Sequence, residues 1–531
     1  MSNHGLLTGL VGLSLALAAC GVEQAEETRE SAAPLAPTGV TAVAGDGFVR
    51  VEWSDASDNE TGFVVYRSPA SATLAAQAPM EAGRTGAGAE SFIDFAARPS
   101  AEYVYSVAAI GVDGIGEPAS ASGEAVSPHS ITLSADLALN PTSTLVSEAV
   151  TLFEASRPAI DVTVVDASFG SARLDAYRTA FDAGTGEFDV VIVDTVWLGE
   201  LTPFLVDLSA YAVGQTSDQH FANLVNHASI DGGLRAIPAL VDPGVLYFRT
   251  DLLAEYGFGT PPATWSELEA MATTIQAGER AAGNSDFWGY VWQGDSYEGL
   301  TVNALEWIAS SGGGTVLSQD GRVTVNNAAA VGALETAAAW VGTISPGDVT
   351  TYREEEGRSA FQLGNAAFMR NWPYAYLLGQ APDSGIAGIF DIAPLPAGVD
   401  GQSSGALGGW YFAVPSDSHY PEAASELVGF LTSHDEQKRR ALEAGFHPTR
   451  PLLFEDADLI ASIPGLDVIG DAVSTAVPRP GRAVGVDYTA VSTAIFTEVH
   501  AALTGGQTVA DALQAASSEL ASLTGLPEGG P

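Results

Sequence analysis

Cysteine and lysine are almost missing from this chain of 531 residues. Cys20 is the only cysteine, so no disulfide can form within the chain. Lys438 is the only lysine, and 21 basic residues stand against 65 acidic ones, which gives a formal net charge of −44. Because a protein that follows phosphates needs cations to neutralise them, we expect no nucleic-acid partner. An uncharged ligand, by contrast, is indifferent to the acidic field.

Long apolar runs are scarce as well. Beyond the N-terminus, no segment reaches the roughly 20 consecutive apolar residues of a membrane-spanning helix. Residues 6–19 are apolar but too short to span, and this pattern predicts an export signal over residues 1–20. Leu-Ala-Ala before Cys20 resembles a bacterial lipobox, which implies a lipid anchor on Cys20 at the cell envelope, in the periplasm or on the outer face of the cytoplasmic membrane. A chance cysteine is the alternative, because residues 1–8 lack Lys and Arg.

Two segments of different character follow the signal. Residues 21–36 are rich in Glu, Ala and Pro without a core-forming pattern, which is typical of a flexible tether. Residues 37–128 contain short apolar or alternating runs separated by turns, which predicts an all-β sandwich. Pro37, Trp53 and the tyrosine-bearing strands at 62–67 and 103–107 resemble a fibronectin type III module. That resemblance implies a spacer or docking role and no chemistry.

A new pattern begins at Ile131, where apolar strands alternate with helices. Residues 144–156 place apolar side chains on one face, as a helix packed on a core does, and residues 174–181 are predicted to form a second helix. Residues 188–194 form a continuous apolar run, typical of a strand that is buried on both faces. Strands that alternate with helices predict an α/β fold around a parallel sheet.

Two local patterns further along the chain make specific structural predictions. Thr264 and Glu267 have the spacing of a capping box, which predicts that a helix begins there. The run Val-Thr-Val-Asn at 323–326 follows an Asp-Gly turn, and we expect it to form a strand.

The most informative stretch is residues 364–376. Its first half is small and apolar, and Pro373 ends the predicted strand because proline has no N–H for a central ladder. Arg370, Trp372 and Tyr374 therefore fall at the C-terminal end of a strand, where open α/β sheets bind ligands. An indole can stack on the apolar face of a sugar while a guanidinium takes its hydroxyls. The alternative is that Trp372 and Tyr374 are core aromatics that cap the strand.

Two aspartates occupy comparable positions. Asp194 ends the predicted strand at 188–194 before a Trp-bearing loop, and Asp242 lies at a break between two predicted strands. Because it ends a strand, Asp194 is expected at a crevice, where its carboxylate is a candidate for binding a ligand. For Asp194, capping of the following helix is an equally common use of an aspartate at such a position.

Several sequence motifs in the second half of the chain resemble those of a known family. They lie at residues 286–294, 297–301, 303–307, 340–346, 367–376, 407–410 and 448–451. On the basis of these motifs, residues 131–510 resemble the solute-binding proteins of ABC sugar importers, specifically the trehalose/maltose-binding branch of extracellular solute-binding protein family 1. The resemblance implies a hinged, two-lobed α/β periplasmic-binding-protein fold of type II over residues 129–531. The first lobe is expected at about 129–241 and 413–450, and the second at about 242–412 and 451–531.

The resemblance also implies a set of sugar contacts. The matching residues are Arg173, Asp194, Asp242, Trp372, Tyr374, Gly409, Trp410 and Arg479. Carboxylates and guanidinium groups can bond pairs of hydroxyls, and buried charges need such partners. Without the resemblance, Arg173 and Arg479 would be interpreted as surface salt-bridge residues. Leu240 stands where the family often has an aromatic residue, so the exact disaccharide stays open.

Together these observations predict a lipid-anchored receptor that closes on a neutral disaccharide, such as trehalose or maltose, and delivers it to an ABC permease. We expect a monomer without catalytic residues, metal or cofactor. One alternative is a secreted glycoside hydrolase with an accessory module, in which Asp194 and Asp242 would flank the bond about 5–10 Å apart. Another is a sensory or adhesive binding protein that feeds no transporter.

Overall fold

The structure is a computed structural model, and it describes residues 33–70, 78–135, 144–166, 171–318, 320–398, 401–481 and 488–529. The predicted signal peptide, Cys20 and most of the predicted tether lie outside the described residues. The described chain forms two compact units. The smaller contains Arg50–Phe92, Glu102–Gly123 and the described residues before Ala44, and the larger contains Ala44–Val49, Ile93–Ala101 and the described residues from Glu124 onward.

The N-terminal region is all-β, as expected. Its strands are β1 (Thr38–Ala44), β2 (Val49–Ser54), β3 (Glu60–Pro69), β4 (Met80–Gly86), β5 (Ser91–Asp94), β6 (Tyr103–Gly111), β7 (Gly114–Ile115) and β8 (Ala119–Gly123). One sheet has the order β1-β2-β5, and the other has the order β4-β3-β6-β7 with β8 also paired to β6. Trp53 and Phe63 are buried with ring centroids 5.2 Å apart. The likeness to a fibronectin type III module stays a prediction.

The following region alternates strands and helices. It begins with β9 (His129–Ala135), α1 (Leu145–Ser156), β10 (Ile160–Asp166), α2 (Ser171–Ala183), β11 (Val190–Asp194), α3 (Leu198–Leu201), α4 (Ala222–Ala228), β12 (Ser229–Ile230), β13 (Gly233–Leu234), β14 (Ile237–Pro243), β15 (Val245–Arg249), α5 (Thr250–Glu255), α6 (Trp265–Ala281) and β16 (Trp288–Val291). It continues with α7 (Glu298–Ser310), α8 (Ala328–Trp340), α9 (Glu354–Gln362), β17 (Ala366–Asn371), α10 (Ala375–Gly379), β18 (Phe390–Pro394), β19 (Leu407–Ala413), α11 (Pro421–Leu431), α12 (His434–Ala444), α13 (Ala457–Ser462), α14 (Leu466–Thr475), α15 (Tyr488–Leu503) and α16 (Val509–Thr524).

Two sheets form the centres of two lobes. In the first lobe the order is β10-β9-β11-β19-β14, in which β9, β10 and β11 are parallel and β19 is antiparallel to both of its neighbours. In the second lobe the order is β16-β17-β15-β18, in which only β16 and β17 are parallel. The predicted two-lobed α/β architecture is therefore confirmed. None of the described helices combines the length and apolar character needed to cross a membrane.

Sequence patterns explain the central elements of both lobes. In β11, Val190, Val191 and Val193 are completely buried, which fits a strand covered on both faces. All six residues of β17 are buried in the same way. The predicted capping box is present, because Thr264 Oγ1 accepts the N–H of Glu267 at 3.2 Å and Glu267 Oε2 accepts the N–H of Thr264 at 3.1 Å.

Chain segments that connect the lobes lie side by side. The N–H of Gly244, between β14 and β15, donates to the carbonyl oxygen of Ala406 just before β19 at 3.3 Å. Val477, which follows α14, donates its N–H to Gly405 and accepts the N–H of Leu407, both at 2.8 Å. Backbone hydrogen bonds thus join the crossing segments, and a change of angle between the lobes must act on them.

Two sequence predictions are wrong. The sequence predicts the second lobe at about residues 242–412, but β19 begins at Leu407 and pairs with β11 and β14 in the first sheet. The pattern misled because Gly408 and Gly409 are typical of a break, whereas here they lie inside the strand. The strand expected at 323–326 is also absent, because only Val323 makes isolated bridges and no neighbouring edge extends the pairing.

Candidate ligand-binding site

In the first lobe an indole on β19 lies opposite the end of β11, with a guanidinium from α2 beside its ring. Trp410 lies in β19 opposite Asp194, the last residue of β11. The Trp410 ring meets the edge of Trp197 at 5.6 Å between centroids, and the Arg173 guanidinium carbon lies 5.0 Å from its centroid. The side chain of Trp410 is partly exposed, whereas Arg173 is 0% exposed. Arg173 is therefore a buried support for the indole, and the surface salt-bridge interpretation is wrong for it.

Asp194 serves two partners at once. Its Oδ1 accepts the N–H of Val196 at 3.1 Å, which caps the short 3-10 helix that follows β11. The same oxygen accepts from Arg479 Nη2 at 3.3 Å. Burial raises the pKa of Asp194 above its ordinary value, while the charge of Arg479 opposes that rise. The capping role of Asp194 is therefore confirmed, and its role in binding a ligand stays a prediction.

The second lobe presents a different indole. Trp372 follows β17 and is partly buried. The Arg370 guanidinium carbon lies 4.0 Å from the ring centroid, and the indole Nε1 donates to Glu354 Oε1 at 3.4 Å. A cation on the face and a carboxylate on the N–H edge fix the plane of the ring. Trp372 is thus held by side chains and is not a fully buried core residue.

Tyr374 lies two residues beyond Trp372 and is 38% exposed. Its hydroxyl donates to Glu355 Oε1 at 2.7 Å, and burial raises the pKa of the phenol above its ordinary value. The interpretation of Tyr374 as a core aromatic is therefore wrong. Its hydroxyl is occupied by Glu355, so a ligand would contact the ring or displace this hydrogen bond.

Two glycines of β19 allow close approaches, and at Gly408 the approaching group comes from the second lobe. A Cβ at Gly408 would lie 3.0 Å from the Trp372 ring and would collide with the carbonyl oxygen of Asp242. Gly409 has φ +131°, and a Cβ there would collide with the carbonyl oxygen of Leu240. The absence of side chains lets the second-lobe indole reach a strand of the first sheet.

Asp242 lies near the first crossing, opposite Gly408 in the ladder. Its Oδ1 is 3.6 Å from Nδ1 of His447, whose side chain is buried. The structure thus divides the predicted residues into groups. Asp194, Arg173, Trp410 and Arg479 cluster near the end of β11, while Asp242 and Trp372 meet at the crossing, on either side of Gly408, which was not among the predicted residues.

No sequence pattern indicated the ion pair beneath Trp372. We expected the Arg370 guanidinium to take ligand hydroxyls, but Arg370 and Glu306 are each 1% exposed and bind one another, with Nε to Oε2 at 2.7 Å. Glu306 Oε1 also accepts the N–H of Ala406 at 3.0 Å, and a Cβ at Gly244 would collide with it. The pair supports both the indole and two crossing segments. The only sequence signal for this ion pair was the position of Glu306 in a largely apolar helical motif, residues 303–307.

Two further carboxylates were missed. Glu354 accepts from the Tyr297 hydroxyl at 2.7 Å as well as from Trp372. Glu298 accepts from Arg479 Nη1 at 2.7 Å and from the Tyr488 hydroxyl at 2.6 Å. Glu298 lies within the family-like motif at 297–301, but its hydrogen-bond partners are distant in sequence. Among the described residues no cluster of His, Cys, Asp and Glu could hold a metal ion.

The fold and the site together define a two-lobed ligand-binding protein. Residues 139–438 match the bacterial extracellular solute-binding protein family, and this chain belongs to that family. The predicted family is therefore confirmed, whereas its trehalose/maltose-binding branch stays a prediction.

Named relatives agree with this assignment. A probable ABC transporter-binding protein of Deinococcus radiodurans is 45% identical over 354 residues, which cover 67% of this chain and 84% of that protein. Maltose-bound MalE3 of T. maritima is similar in structure, with 37% identity, a TM-score of 0.66 and coverage of 74% of this chain and 99% of that one. The GacH receptor of Streptomyces glaucescens, solved unliganded and with acarbose, shares the fold at 22% identity and a TM-score of 0.65, over 75% of this chain and 99% of that one.

Proposed function

We propose that this chain is the lipid-anchored binding component of an ABC sugar importer. It captures a neutral disaccharide of the trehalose or maltose kind by closure of its lobes and delivers it to a permease. The observation that carries the proposal is a pair of partly exposed indoles on different lobes. Trp410 in the first lobe and Trp372 in the second each have a buried guanidinium beside the ring, from Arg173 and Arg370.

The chemistry of the site suits an uncharged, hydroxyl-rich ligand. Aromatic rings stack on the apolar C–H faces of a sugar, and carboxylates and guanidinium groups can bond its hydroxyls. Asp194 and Arg479 already neutralise each other, so the site needs no charged ligand for balance. A neutral ligand is also indifferent to the net charge of −44. MalE3 of T. maritima, which is 37% identical to this chain in sequence, was solved with maltose bound.

Binding without chemistry is favoured over hydrolysis. A glycoside hydrolase needs one carboxyl that stays protonated, and burial does raise the pKa of Asp194. However, Asp194 is bound to the Arg479 guanidinium and to a backbone N–H, so it is held as a hydrogen-bond acceptor. We therefore assign it to ligand binding and propose no covalent step.

A thermal-shift screen of the full chain against a panel of disaccharides, monosaccharides and polyols tests the function. We expect the melting temperature to rise with one or more α-linked disaccharides, because a ligand that binds only the folded state stabilises it. The same mixtures are then assayed for free glucose. Release of glucose from trehalose or maltose would establish the hydrolase instead, and no shift with any sugar would refute the sugar receptor.

The N-terminal segments complete the proposal. Residues 1–20 direct export, Cys20 carries the lipid, and residues 21–36 are the tether to a fibronectin-like spacer at 37–128. Metabolic labelling with a tagged fatty acid should mark the wild-type chain and not the Cys20→Ser variant. Equal labelling of both chains would disprove the anchor and leave the sugar-binding proposal untouched.

A further inference from the structure

Arg479 lies between two carboxylates that come from different lobes. Its Nη2 donates to Asp194 Oδ1 at 3.3 Å, at the end of β11 in the first lobe. Its Nη1 donates to Glu298 Oε1 at 2.7 Å, in the first turn of α7 in the second lobe. The Arg479 side chain is 6% exposed, so water competes little with either bond. A single guanidinium therefore ties the two lobes together.

Glu298 receives other donors as well. Its Oε1 accepts from the Tyr488 hydroxyl at 2.6 Å, and its Oε2 accepts from the Ser492 hydroxyl. The Tyr488 ring packs in the hydrophobic core of the first lobe, but Tyr488 begins α15, which packs on α7 and whose other buried residues belong to the core of the second lobe. Arg479 also stays near the first lobe, because Gly481, two residues later, lies against the backbone of Val196. Glu298 thus reaches the first lobe through Arg479, while Tyr488 and Ser492 hold its carboxylate from α15.

We propose that Glu298 is a positioning residue that clasps Arg479 across the crevice, orients its guanidinium beside Asp194 and favours the closed arrangement of the lobes. The clasp sets how much of the protein is ready to hold a ligand before any ligand arrives. Its effect on sugar affinity rests on the proposed function, whereas its effect on the distance between the lobes does not.

The geometry shows which arrangement of the lobes the clasp favours. A hinge motion that separates β11 from α7 cannot keep both bonds of Arg479, because the two carboxylates move apart. Removal of the charge at Glu298 leaves Arg479 with a single ion pair, to Asp194 on the first lobe, and at most a neutral hydrogen bond to the second. The bond lost is charge-assisted and belongs only to the closed arrangement, so its loss shifts the population towards the open one.

The test measures the distance between the lobes in the full chain without ligand. Spin labels are placed at two exposed helix positions, Asp435→Cys on α12 in the first lobe and Thr273→Cys on α6 in the second, in a Cys20→Ser background. Glu298→Gln is compared with Glu335→Gln, an exposed position on α8 that loses the same charge. Circular dichroism melts of each variant report folding separately.

We expect Glu298→Gln to lengthen the mean distance between the labels and to weaken sugar binding about tenfold, mainly through faster release. Glu335→Gln should change neither quantity. Tyr488→Phe, which keeps the ion pair and removes one hydrogen bond, should have a smaller effect of the same sign. An unchanged distance in folded Glu298→Gln would overturn the proposal, and so would tighter sugar binding, which would mean that Glu298 competes with the ligand for Arg479.

The clasp and the proposed function fail in different ways. If wild-type protein binds no sugar of the panel but Glu298→Gln still lengthens the distance, the clasp holds and the sugar receptor does not. If wild-type protein binds sugar and the distance is unchanged in Glu298→Gln, the sugar receptor holds and the clasp does not.

Discussion

The two lobes hold their indoles in different ways. Trp410 is part of a strand, so its backbone is fixed by ladders to β11 and β14 on both sides, and Arg173 supports the ring from below. Trp372 comes after its strand has ended, and its ring is fixed by Arg370 and Glu354. The first-lobe indole is thus positioned by the sheet, and the second-lobe indole by buried charged side chains.

This difference teaches where each lobe is sensitive to substitution. Strand pairing distributes the positioning of Trp410 over many backbone hydrogen bonds, so no single side chain is decisive. The support of Trp372 depends on the Arg370–Glu306 pair, which also contacts the crossing segments near Gly244 and Ala406. The second-lobe indole is therefore linked to the hinge, and substitutions beneath it should affect both stability and ligand affinity.

The largest effect is expected at Glu306. Glu306→Gln leaves the Arg370 charge buried without its counter-charge, which should cost about 3–5 kcal/mol of unfolding free energy. Urea denaturation of the full chain measures it, with Glu354→Gln as a control that keeps the ion pair. A loss below about 1 kcal/mol, the range of an exposed pair, would show that the pair does not support the second lobe.

Removal of the second-lobe indole should be next in size. Trp372→Ala should weaken sugar binding about 100-fold while the fold stays intact, because a partly buried aromatic anchor is typical of a binding hot spot. Trp288→Ala is a matched control, since Trp288 is also partly buried and carries the Arg280 guanidinium 4.3 Å from its ring centroid. Calorimetry that finds wild-type affinity in Trp372→Ala would contradict the account.

The first-lobe support should matter less. Arg173→Met keeps most of the side-chain volume and removes the guanidinium beside Trp410, and we expect sugar affinity to fall about tenfold, in line with the loss of one buried cation–π contact. The ladder should still hold the indole in place. A loss as large as that of Trp372→Ala, measured in the same calorimeter, would mean that the two lobes do not differ as described.

The smallest effect concerns Asp194. Its pKa is raised in the folded protein by burial, so its contribution to stability is full below the unfolded-state pKa and is lost as the pH rises through the raised value. Asp194→Asn cannot ionise and should remove this slope from a plot of unfolding free energy against pH. Identical slopes for wild type and variant between pH 3 and 7 would show that the pKa of Asp194 is not raised.

Sequence patterns predicted most of the fold and part of the site. The buried runs of β11 and β17 and the capping box at Thr264 are local, and local physics decided them. The strand β19 was misjudged because its glycines are required by the close approach of Trp372 and the Leu240 carbonyl, contacts that no local pattern contains. The same reason hid the Arg370–Glu306 pair, whose members are 64 residues apart.

The roles of the eight predicted contact residues stay predictions. No sequence pattern revealed which partner each charged side chain has. Arg370 was expected to face the ligand and instead lies under an indole, because a buried guanidinium needs a carboxylate and Glu306 supplies it. Charge partners that are distant in sequence have to be seen in three dimensions.

The central claim is that indoles on two lobes hold an uncharged sugar and do nothing chemical to it. A crystal structure of the full chain grown with the best disaccharide from the thermal-shift panel tests this most directly. The account predicts one intact disaccharide between the lobes, with rings stacked on Trp372 and Trp410. A cleaved sugar, or both indoles packed against protein with no sugar between them, would contradict it.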